Sequence, residues 1–253
     1  MRPTLVLLQS TASTEIRTAR QACLVDNIAN VNCTIAGLSA YQSELTSGSA
    51  LPVGSVEFVR EAMRVACIPE PPNISYPEAS QRFLGRKVHR VPAGQVIGTW
   101  FVKPVATKGF GGFVFDTLSD DRAYSCADRE SLSAFMRLPA DAPVWISEPV
   151  KFVSELRYYY RAGECIGFAR YDQSGADEAP IPDFALVDSC ARASGISSPF
   201  AIDFGVLDDG RSVLVEFNDF WALGLYGHAL SPTTYLSALS ERWTLARTSI
   251  PKL

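Results

Sequence analysis

The chain has few of the residues on which metal-based and nucleophilic catalysis often relies. Its 253 residues include only two histidines, and its six cysteines form no CxxC pair. This scarcity argues against a zinc site, which normally uses closely spaced Cys and His ligands. It also argues against a histidine-based dyad, so we expect His89 and His228 to be structural. A chain of this size needs no disulfide framework, so we expect free thiols and a reducing, cytoplasmic compartment.

Two further absences exclude classes of partner. No apolar run approaches the roughly 20 residues needed to span a bilayer, and the apolar stretch at residues 4–8 is shorter than the about 7–15 residues of a secretory signal. The net charge is −4, with 23 Lys and Arg against 27 Asp and Glu, so no global field favours nucleic acid or an anionic membrane. The short basic segment at residues 86–90 is more often a solvated face. We therefore expect neither a nucleic-acid nor a membrane partner.

The remaining pattern is that of a folded α+β protein. Residues 1–75 are predicted to form a small N-terminal α/β lobe, with an apolar strand near residues 5–8 and a helix capped by Ser55. Prolines between residues 69 and 77 mark a connection to a second region, residues 76–253. There, strands that are mostly antiparallel alternate with helices, including one capped by Asp128 with Met136 inward and a last one opened by Ser231 and Pro232. This order favours α+β layers over a doubly wound parallel sheet.

One predicted hairpin, at residues 201–217, carries clustered polar residues. Side chains alternate along a strand, so Glu216 and Asn218 point to the same face, and Asp203 on the neighbouring strand can join them. Two carboxylates and an amide between apolar residues are costly to bury without compensation. Such oxygen ligands suit Mg²⁺. A solvated hairpin edge is the alternative, and the hairpin alone does not decide between the two.

Two lysines suggest an anion beside this hairpin. Lys103 ends an apolar strand, where its charge must reach solvent or meet an anion. Lys108 stands at the entrance of a loop containing Gly109, Gly111 and Gly112, whose backbone can approach phosphates closely. The pattern is neither a Walker A motif nor GxGxxG, which disfavours P-loop and Rossmann folds.

A third segment suggests recognition of a base. Glu148 and Pro149 end a buried strand, and Pro149 lacks an N–H, so the backbone leaves the sheet ladder there. The free carbonyls and the N–H of Val150 can then pair with an adenine edge. Glu155 and Arg157 alternate on one face of the next strand; the alternative is an exposed charge pair of little energetic value.

Taken in order, these segments resemble the ATP-grasp superfamily, in particular its small ligase-type members in bacteria and phages. The resemblance runs from about residue 52 to residue 226, most of the chain. It implies an ATP-grasp fold, in which two α/β lobes grip ATP between antiparallel sheets. The segments that carry it are Pro52-Val-Gly-Ser-Val-Glu-Phe58, Phe83-Leu-Gly-Arg86, Phe101-Val-Lys103-Pro104, Lys108-Gly-Phe, Ser147-Glu-Pro-Val150, Ser154-Glu-Leu-Arg157, Arg170-Tyr171, Asp203-Phe-Gly and Val215-Glu-Phe-Asn218.

The resemblance implies roles for these residues, with ATP and Mg²⁺ as cofactors. Phosphates would be held by Lys103 and Lys108, adenine by Glu148, Pro149 and Val150, the ribose by Glu155, and Mg²⁺ by Asp203, Glu216 and Asn218. Besides Lys108, Arg157 or Arg170 would stabilise the transferred phosphoryl group or the later tetrahedral intermediate, and Arg170 is preferred.

The implied activity is an ATP-dependent carboxylate–amine ligase that forms an acyl phosphate and releases ADP and phosphate. Its substrates would be small-molecule or peptide carboxylates and amines. A small-molecule kinase of the same fold, or an ATP-binding module without turnover, is the alternative. One departure concerns the acceptor pocket: many ATP-grasp ligases follow the metal-binding Asn with a Pro-Gly turn, whereas this chain continues with residues 219–226, Asp-Phe-Trp-Ala-Leu-Gly-Leu-Tyr.

Overall fold

The computed structural model describes residues 2–106, 109–120, 124–172 and 179–248. Within these residues the chain forms three sheets, one parallel with three strands and two antiparallel with four strands each. In this part of the chain no helix has the length and apolarity needed to cross a bilayer.

The parallel sheet belongs to the N-terminal lobe. Its elements are β1 (Leu5–Gln9), α1 (Thr14–Val25), β2 (Ala29–Cys33), α2 (Gln42–Ser47), β3 (Ala50–Val53) and α3 (Val56–Val65), and its strand order is β2-β1-β3. Val6, Leu7 and Leu8 of the central strand are all fully buried, as expected of a parallel strand covered on both faces. Ser55 caps α3 by accepting a hydrogen bond from the backbone N–H of Phe58, as predicted.

The first antiparallel sheet is small and is backed by one helix. It contains β4 (Val88–Pro92), β5 (Thr99–Pro104), β6 (Phe113–Asp116) and β7 (Pro143–Ser147), in the order β4-β7-β5-β6, with α4 (Cys126–Met136) beside it. Val102 and Ile146 pack with Phe135 of α4. Two details of the prediction for α4 were wrong: Ser125, not Asp128, is the N-cap, and Met136 is 67% exposed.

The second antiparallel sheet is the larger one. It contains β8 (Phe152–Arg161), β9 (Glu164–Arg170), β10 (Phe200–Leu207) and β11 (Ser212–Asp219), in the order β11-β10-β8-β9, with α5 (Phe184–Ala193) against one face. Both predicted hairpins are present. The tight turn between β8 and β9 uses Ala162 and Gly163 at φ 51° and 80°, the positive angles that a two-residue hairpin turn requires.

The last helix, α6 (Pro232–Thr248), completes the core of the N-terminal lobe. Its Leu236, Leu239 and Trp243 are buried in one apolar cluster with Val6 and Leu7 of β1. Residues of β8, β10 and the segment after β11 join the same cluster. The division of the chain near residue 75 stays a prediction, since this core draws on both sides of it.

Candidate functional site

A cavity of about 390 Å³ lies where the two antiparallel sheets face each other. The small sheet contributes Lys103 and Trp145 to its lining, and the large sheet contributes Arg157. The other lining residues come from residues 73–76, from the end of β5 and the loop after it (Pro104, Ala106, Phe110 and Gly112), from the end of β11 and the segment that follows it, and from Val56 at the start of α3. Both antiparallel sheets and the start of α3 therefore contribute to this cavity.

The three predicted metal ligands lie together on one face of the large sheet. Asp203 of β10 is directly opposite Glu216 of β11. The Asn218 amide nitrogen donates to Asp203 Oδ2 at 3.1 Å and to Glu216 Oε1 at 3.0 Å. No group of three His, Cys, Asp or Glu side chains suited to a metal occurs among the described residues. Two carboxylates and one amide nonetheless fit Mg²⁺, which commonly uses one or two carboxylates and completes its shell with phosphate and water.

Arg157 is the cationic partner of Asp203. Its Nε and Nη2 donate to the two carboxylate oxygens, each at 2.7 Å, and the two side chains are only 8% and 1% exposed. Burial raises the pKa of the Asp203 carboxyl, and the guanidinium opposes that rise. The guanidinium also lies over the rings of Tyr226 and Tyr171, at 5.0 and 5.6 Å from their centroids. Arg157 is therefore fixed in one orientation by an ion pair and two aromatic rings.

Lys103 joins the small sheet to the predicted metal ligands. Its Nζ donates to Glu216 Oε2 at 3.1 Å. Burial would lower the pKa of Lys103, but the nearby Glu216 carboxylate outweighs it and the pKa is raised. Burial would likewise raise the pKa of Glu216, but Lys103 and Asn218 together lower it. Both groups are thus held in their charged forms.

Tyr76 is a site residue that the sequence interpretation missed. Its ring lies 4.8 Å from Lys103 Nζ and packs edge-on against Trp145, with centroids 5.2 Å apart. Its hydroxyl donates to the backbone oxygen of Val215 at 2.9 Å, next to Glu216. Tyr76 thus contacts both sheets. It lies in the proline-rich connection, outside any strand or helix pattern, so only the presence of an aromatic residue there could have marked it.

Glu155 lies on the same face as Arg157, in agreement with the predicted alternation. Its carboxylate accepts a hydrogen bond from the hydroxyl of Tyr171 at 2.8 Å. Burial raises the pKa of Glu155, and the bond from Tyr171 opposes this only in part. Glu155 does not line the described cavity, so its predicted contact with the ribose stays a prediction.

Arg170 lies on the opposite face of the large sheet from Arg157. It is directly across from Leu156 on the neighbouring strand, and Leu156 faces the core under α5. The Arg170 guanidinium donates to Asp172 Oδ2 at 3.2 Å and to the backbone oxygen of Ala179 at 2.7 Å. The structure therefore places Arg157, and not the preferred Arg170, beside Asp203.

The predicted hinge, residues 148–150, connects the two antiparallel sheets between β7 and β8. The Glu148 carboxylate accepts a hydrogen bond from the backbone N–H of Lys87 at 3.2 Å. Glu148, Pro149 and Val150 do not line the described cavity, so their predicted pairing with adenine stays a prediction. Lys108 lies outside the described residues.

The segment that replaces the expected Pro-Gly turn has a defined structure. Asp219 accepts a hydrogen bond from the backbone N–H of Trp221, which starts a short 3₁₀ turn at Phe220–Ala222. Both carboxylate oxygens of Asp219 also accept hydrogen bonds from Arg242 of α6, each at 2.7 Å. The segment is therefore anchored to the last helix immediately after β11.

The comparison with known families agrees with this geometry. Residues 59–244 match the ATP-grasp domain, R2K clade family 3. The chain belongs to this ATP-grasp family. A search of curated proteins found no match.

Solved ATP-grasp structures share the fold of this ATP-grasp protein. D-cycloserine synthetase DcsG has 14% identity and a TM-score of 0.54, over 94% of this chain and 99% of its own. The L-amino acid ligase from Bacillus licheniformis has 11% identity and a TM-score of 0.51, over 86% of this chain and 67% of its own. Identities this low show the fold alone. Together with the family match, these structural similarities confirm the predicted α+β ATP-grasp fold.

Proposed function

We propose that this ATP-grasp protein is an ADP-forming carboxylate–amine ligase. The main support is the contact between Lys103 of the small sheet and Glu216 of the large sheet. Asp203, Asn218 and Arg157 lie beside this pair. Cations and oxygen ligands on facing walls of one cavity suit a metal-bound triphosphate.

Each side chain has a specific part in this proposal. Asp203, Glu216 and Asn218 would hold Mg²⁺, which when bound neutralises triphosphate charge and orients the γ-phosphate. Lys103, released from Glu216, binds a phosphate oxygen. Arg157 keeps its ion pair with Asp203 and directs its remaining N–H groups at the reacting oxygens.

The reaction then proceeds in two balanced steps. A carboxylate oxygen of the first substrate attacks the γ-phosphorus, and the bond between that phosphorus and the bridging oxygen breaks, so ADP leaves with the electron pair. An amine of the second substrate attacks the resulting acyl phosphate, loses a proton, and expels phosphate. The protein need not form a covalent bond, because positioning and charge stabilisation carry such phosphoryl transfers.

The substrates follow from this chemistry as small-molecule or peptide carboxylates and amines. The two solved relatives described above are named as a D-cycloserine synthetase and an L-amino acid ligase. A kinase of the same fold would transfer the phosphoryl group to a hydroxyl and give a stable phosphorylated product without condensation.

Calorimetric titration of ATP into the purified protein, with and without Mg²⁺, tests the proposal. We expect binding that depends on Mg²⁺ and is lost or at least tenfold weaker in Lys103→Ala, because a partly buried cation that meets phosphate is removed. Lys151→Ala, an exposed lysine outside the cavity lining, is the matched control. Absence of binding under every condition, or equal affinity in Lys103→Ala, would contradict the nucleotide site.

A further inference from the structure

Tyr226 and Tyr171 form a stacked pair of aromatic rings beside Arg157. The two ring centroids are 5.2 Å apart, and the ring planes are inclined by 23°. The central carbon of the Arg157 guanidinium lies 5.0 Å from the Tyr226 centroid and 5.6 Å from the Tyr171 centroid. The guanidinium and the two rings therefore form a triangle of nearly equal sides. Arg157 and Tyr226 both line the cavity.

Tyr171 is the half of the pair that is held by the large sheet itself. It follows the last residue of β9, and its backbone N–H donates to the backbone oxygen of Glu155 at 3.2 Å. Its hydroxyl donates to the Glu155 carboxylate at 2.8 Å. Burial, together with the nearby Asp203 and Glu155 carboxylates, raises the pKa of Tyr171. The hydroxyl therefore remains a neutral donor, and Tyr171 is tied to β8 through both its backbone and its side chain.

Tyr226 comes from the segment that replaces the expected Pro-Gly turn. Its backbone N–H donates to the hydroxyl of Tyr159 at 3.1 Å, and that hydroxyl donates to the backbone oxygen of Gly224 at 3.1 Å. The preceding N–H, of Leu225, donates to Glu15 Oε1 of α1 at 2.9 Å. The backbone that carries the Tyr226 ring is thus held both by β8 and by the N-terminal lobe.

The ion pair with Asp203 alone leaves the tilt of the Arg157 guanidinium free. Nε and Nη2 both bond to the same carboxylate, so the planar group can still tilt about the line that joins the two side chains. An aromatic ring limits this tilt, because a guanidinium is attracted to the face of a ring and stacks on it. The pair of Tyr226 and Tyr171 supplies that surface.

The rings matter most when a metal is bound. Asp203 is both a predicted ligand of Mg²⁺ and the partner of Arg157, so its charge is shared between two cations once the metal binds, and those cations repel each other. The ion pair is therefore weakened at the stage when phosphoryl transfer requires Arg157 to be in place. The attraction between the guanidinium and the Tyr226 ring does not depend on the charge of Asp203, so this contact persists.

We propose that Tyr226 is a positioning residue for phosphoryl transfer: together with Tyr171, its ring keeps the Arg157 guanidinium aimed at the transferred group while Mg²⁺ is bound to Asp203. This inference rests on the proposed function and adds to it a residue that the sequence did not assign to the site. It also gives residues 219–226 a role, since their anchoring to the N-terminal lobe places the ring against Arg157.

Binding of a transition-state mimic tests this role without knowledge of the substrates. ADP, Mg²⁺ and tetrafluoroaluminate together imitate the planar phosphoryl group during transfer, whereas Mg-ADP alone contains no such group. The ratio of the two affinities, measured by calorimetry, therefore reports on the side chains that act on the transferred group. In the wild type we expect the mimic to bind at least about tenfold more tightly than Mg-ADP.

Variants of Tyr226 separate the ring from the rest of the side chain. Tyr226→Leu removes the ring, so we expect most of the preference for the mimic to be lost while Mg-ADP affinity stays within about twofold of wild type. Tyr226→Phe keeps the ring and should restore the preference. Thermal unfolding without nucleotide checks that each variant is folded. If Tyr226→Leu does not fold, Tyr226→Met, also apolar and without a ring, is measured in its place.

Phe168→Leu is the matched control. Phe168 belongs to a second stacked pair, with Tyr158 at 5.4 Å between centroids, on the face of the same sheet that packs under α5. Phe168 is 52% exposed and Tyr226 is 37% exposed, so the two substitutions remove similarly placed rings. We expect Phe168→Leu to lower the midpoint of thermal unfolding about as much as Tyr226→Leu does, and to leave the preference for the mimic unchanged.

The outcomes distinguish this role from the proposed function. If the wild type binds neither Mg-ATP nor Mg-ADP, the proposed function fails and the positioning role fails with it. If Mg-ADP binds but the wild type shows no preference for the mimic, or if Tyr226→Leu keeps that preference, only the positioning role is overturned. Equal losses of the preference in Tyr226→Phe and Tyr226→Leu, or in Phe168→Leu and Tyr226→Leu, would also overturn it.

Discussion

Lys103 and Glu216 form an ion pair that joins the two antiparallel sheets, with 3.1 Å between Nζ and Oε2. In the proposed function these side chains bind different partners, a phosphate oxygen and Mg²⁺. The nucleotide and metal must therefore replace this pair as they enter. Until then the ion pair compensates both charges, which limits the free-energy cost of holding these partly buried groups in the cavity.

The Glu216→Gln variant should separate metal from phosphate binding. We expect Mg-ATP affinity to fall at least tenfold, because the metal loses one anionic ligand. Affinity for metal-free ATP should hold or rise, because Lys103 no longer has a competing carboxylate. Calorimetry at a series of Mg²⁺ concentrations measures both, and circular dichroism checks the fold. An unaltered Mg²⁺ dependence would count against the metal assignment.

Tyr76 offers a pair of variants that separate its hydroxyl from its ring. Tyr76→Phe loses the hydrogen bond to Val215, which we expect to lower the free energy of unfolding by about 0.5–1.5 kcal/mol with little effect on ATP affinity. Tyr76→Leu also loses the ring beside Lys103, worth about 0.5–2 kcal/mol, so ATP affinity should fall as well. Equal ATP affinities in the two variants would show that the ring does not position Lys103.

Glu155 should affect stability in a pH-dependent way. Burial raises the pKa of its carboxyl in the folded protein, so the folded state binds this proton more tightly than the unfolded state. The protonated carboxyl therefore favours the folded state. This contribution to the free energy of unfolding is complete below the pKa of Glu in the unfolded chain, about 4.3, and is lost as the pH rises through the pKa of Glu155 in the folded protein. Glu155→Gln, which can still accept from Tyr171, should therefore be more stable than wild type at pH 7, with the difference shrinking towards pH 4. Urea unfolding at both pH values measures this, and a pH-independent difference would contradict it.

Arg242 and Asp219 should be important for the stability of the cavity wall. Both side chains are more than nine-tenths buried and form two hydrogen bonds of 2.7 Å. Removing one partner of such a pair typically costs about 3–5 kcal/mol, so Arg242→Ala should lower the free energy of unfolding by that order. Arg192→Ala, which breaks the exposed pair with Asp188 on α5, should cost less than about 1 kcal/mol. Similar losses in the two variants would mean that burial of the first pair matters little.

The sequence predicted that Asp203, Glu216 and Asn218 lie together because their spacing is local. Alternation along β11 puts Glu216 and Asn218 on one face, and a short hairpin turn brings Asp203 opposite Glu216. The choice between Arg157 and Arg170 needed the register between β8 and β9. That register contains an irregularity near Tyr159 and Tyr160, which the sequence pattern does not reveal.

Contacts between residues that are far apart in the sequence could not be predicted. Neither the contact of Glu15 with Leu225 nor that of Tyr76 with Lys103 has a signal in local periodicity, because each depends on how separate elements pack. The prediction of the N-cap residue of α4 was wrong for a local reason. Ser125 and Asp128 are both good N-cap residues, and they share the first turn, with Ser125 accepting from the Asp128 N–H.

The burial of α6 against β1 has a consequence for how the chain folds during synthesis. Contacts such as that between Glu15 and Leu225 join residues 210 positions apart, and the apolar cluster of the N-terminal lobe includes Leu236, Leu239 and Trp243. When only the parallel sheet has emerged from the ribosome, this apolar cluster still lacks α6 and is uncovered on one side. The lobe that is translated first is thus completed last, and until α6 arrives its apolar face is exposed to chaperones and to other nascent chains.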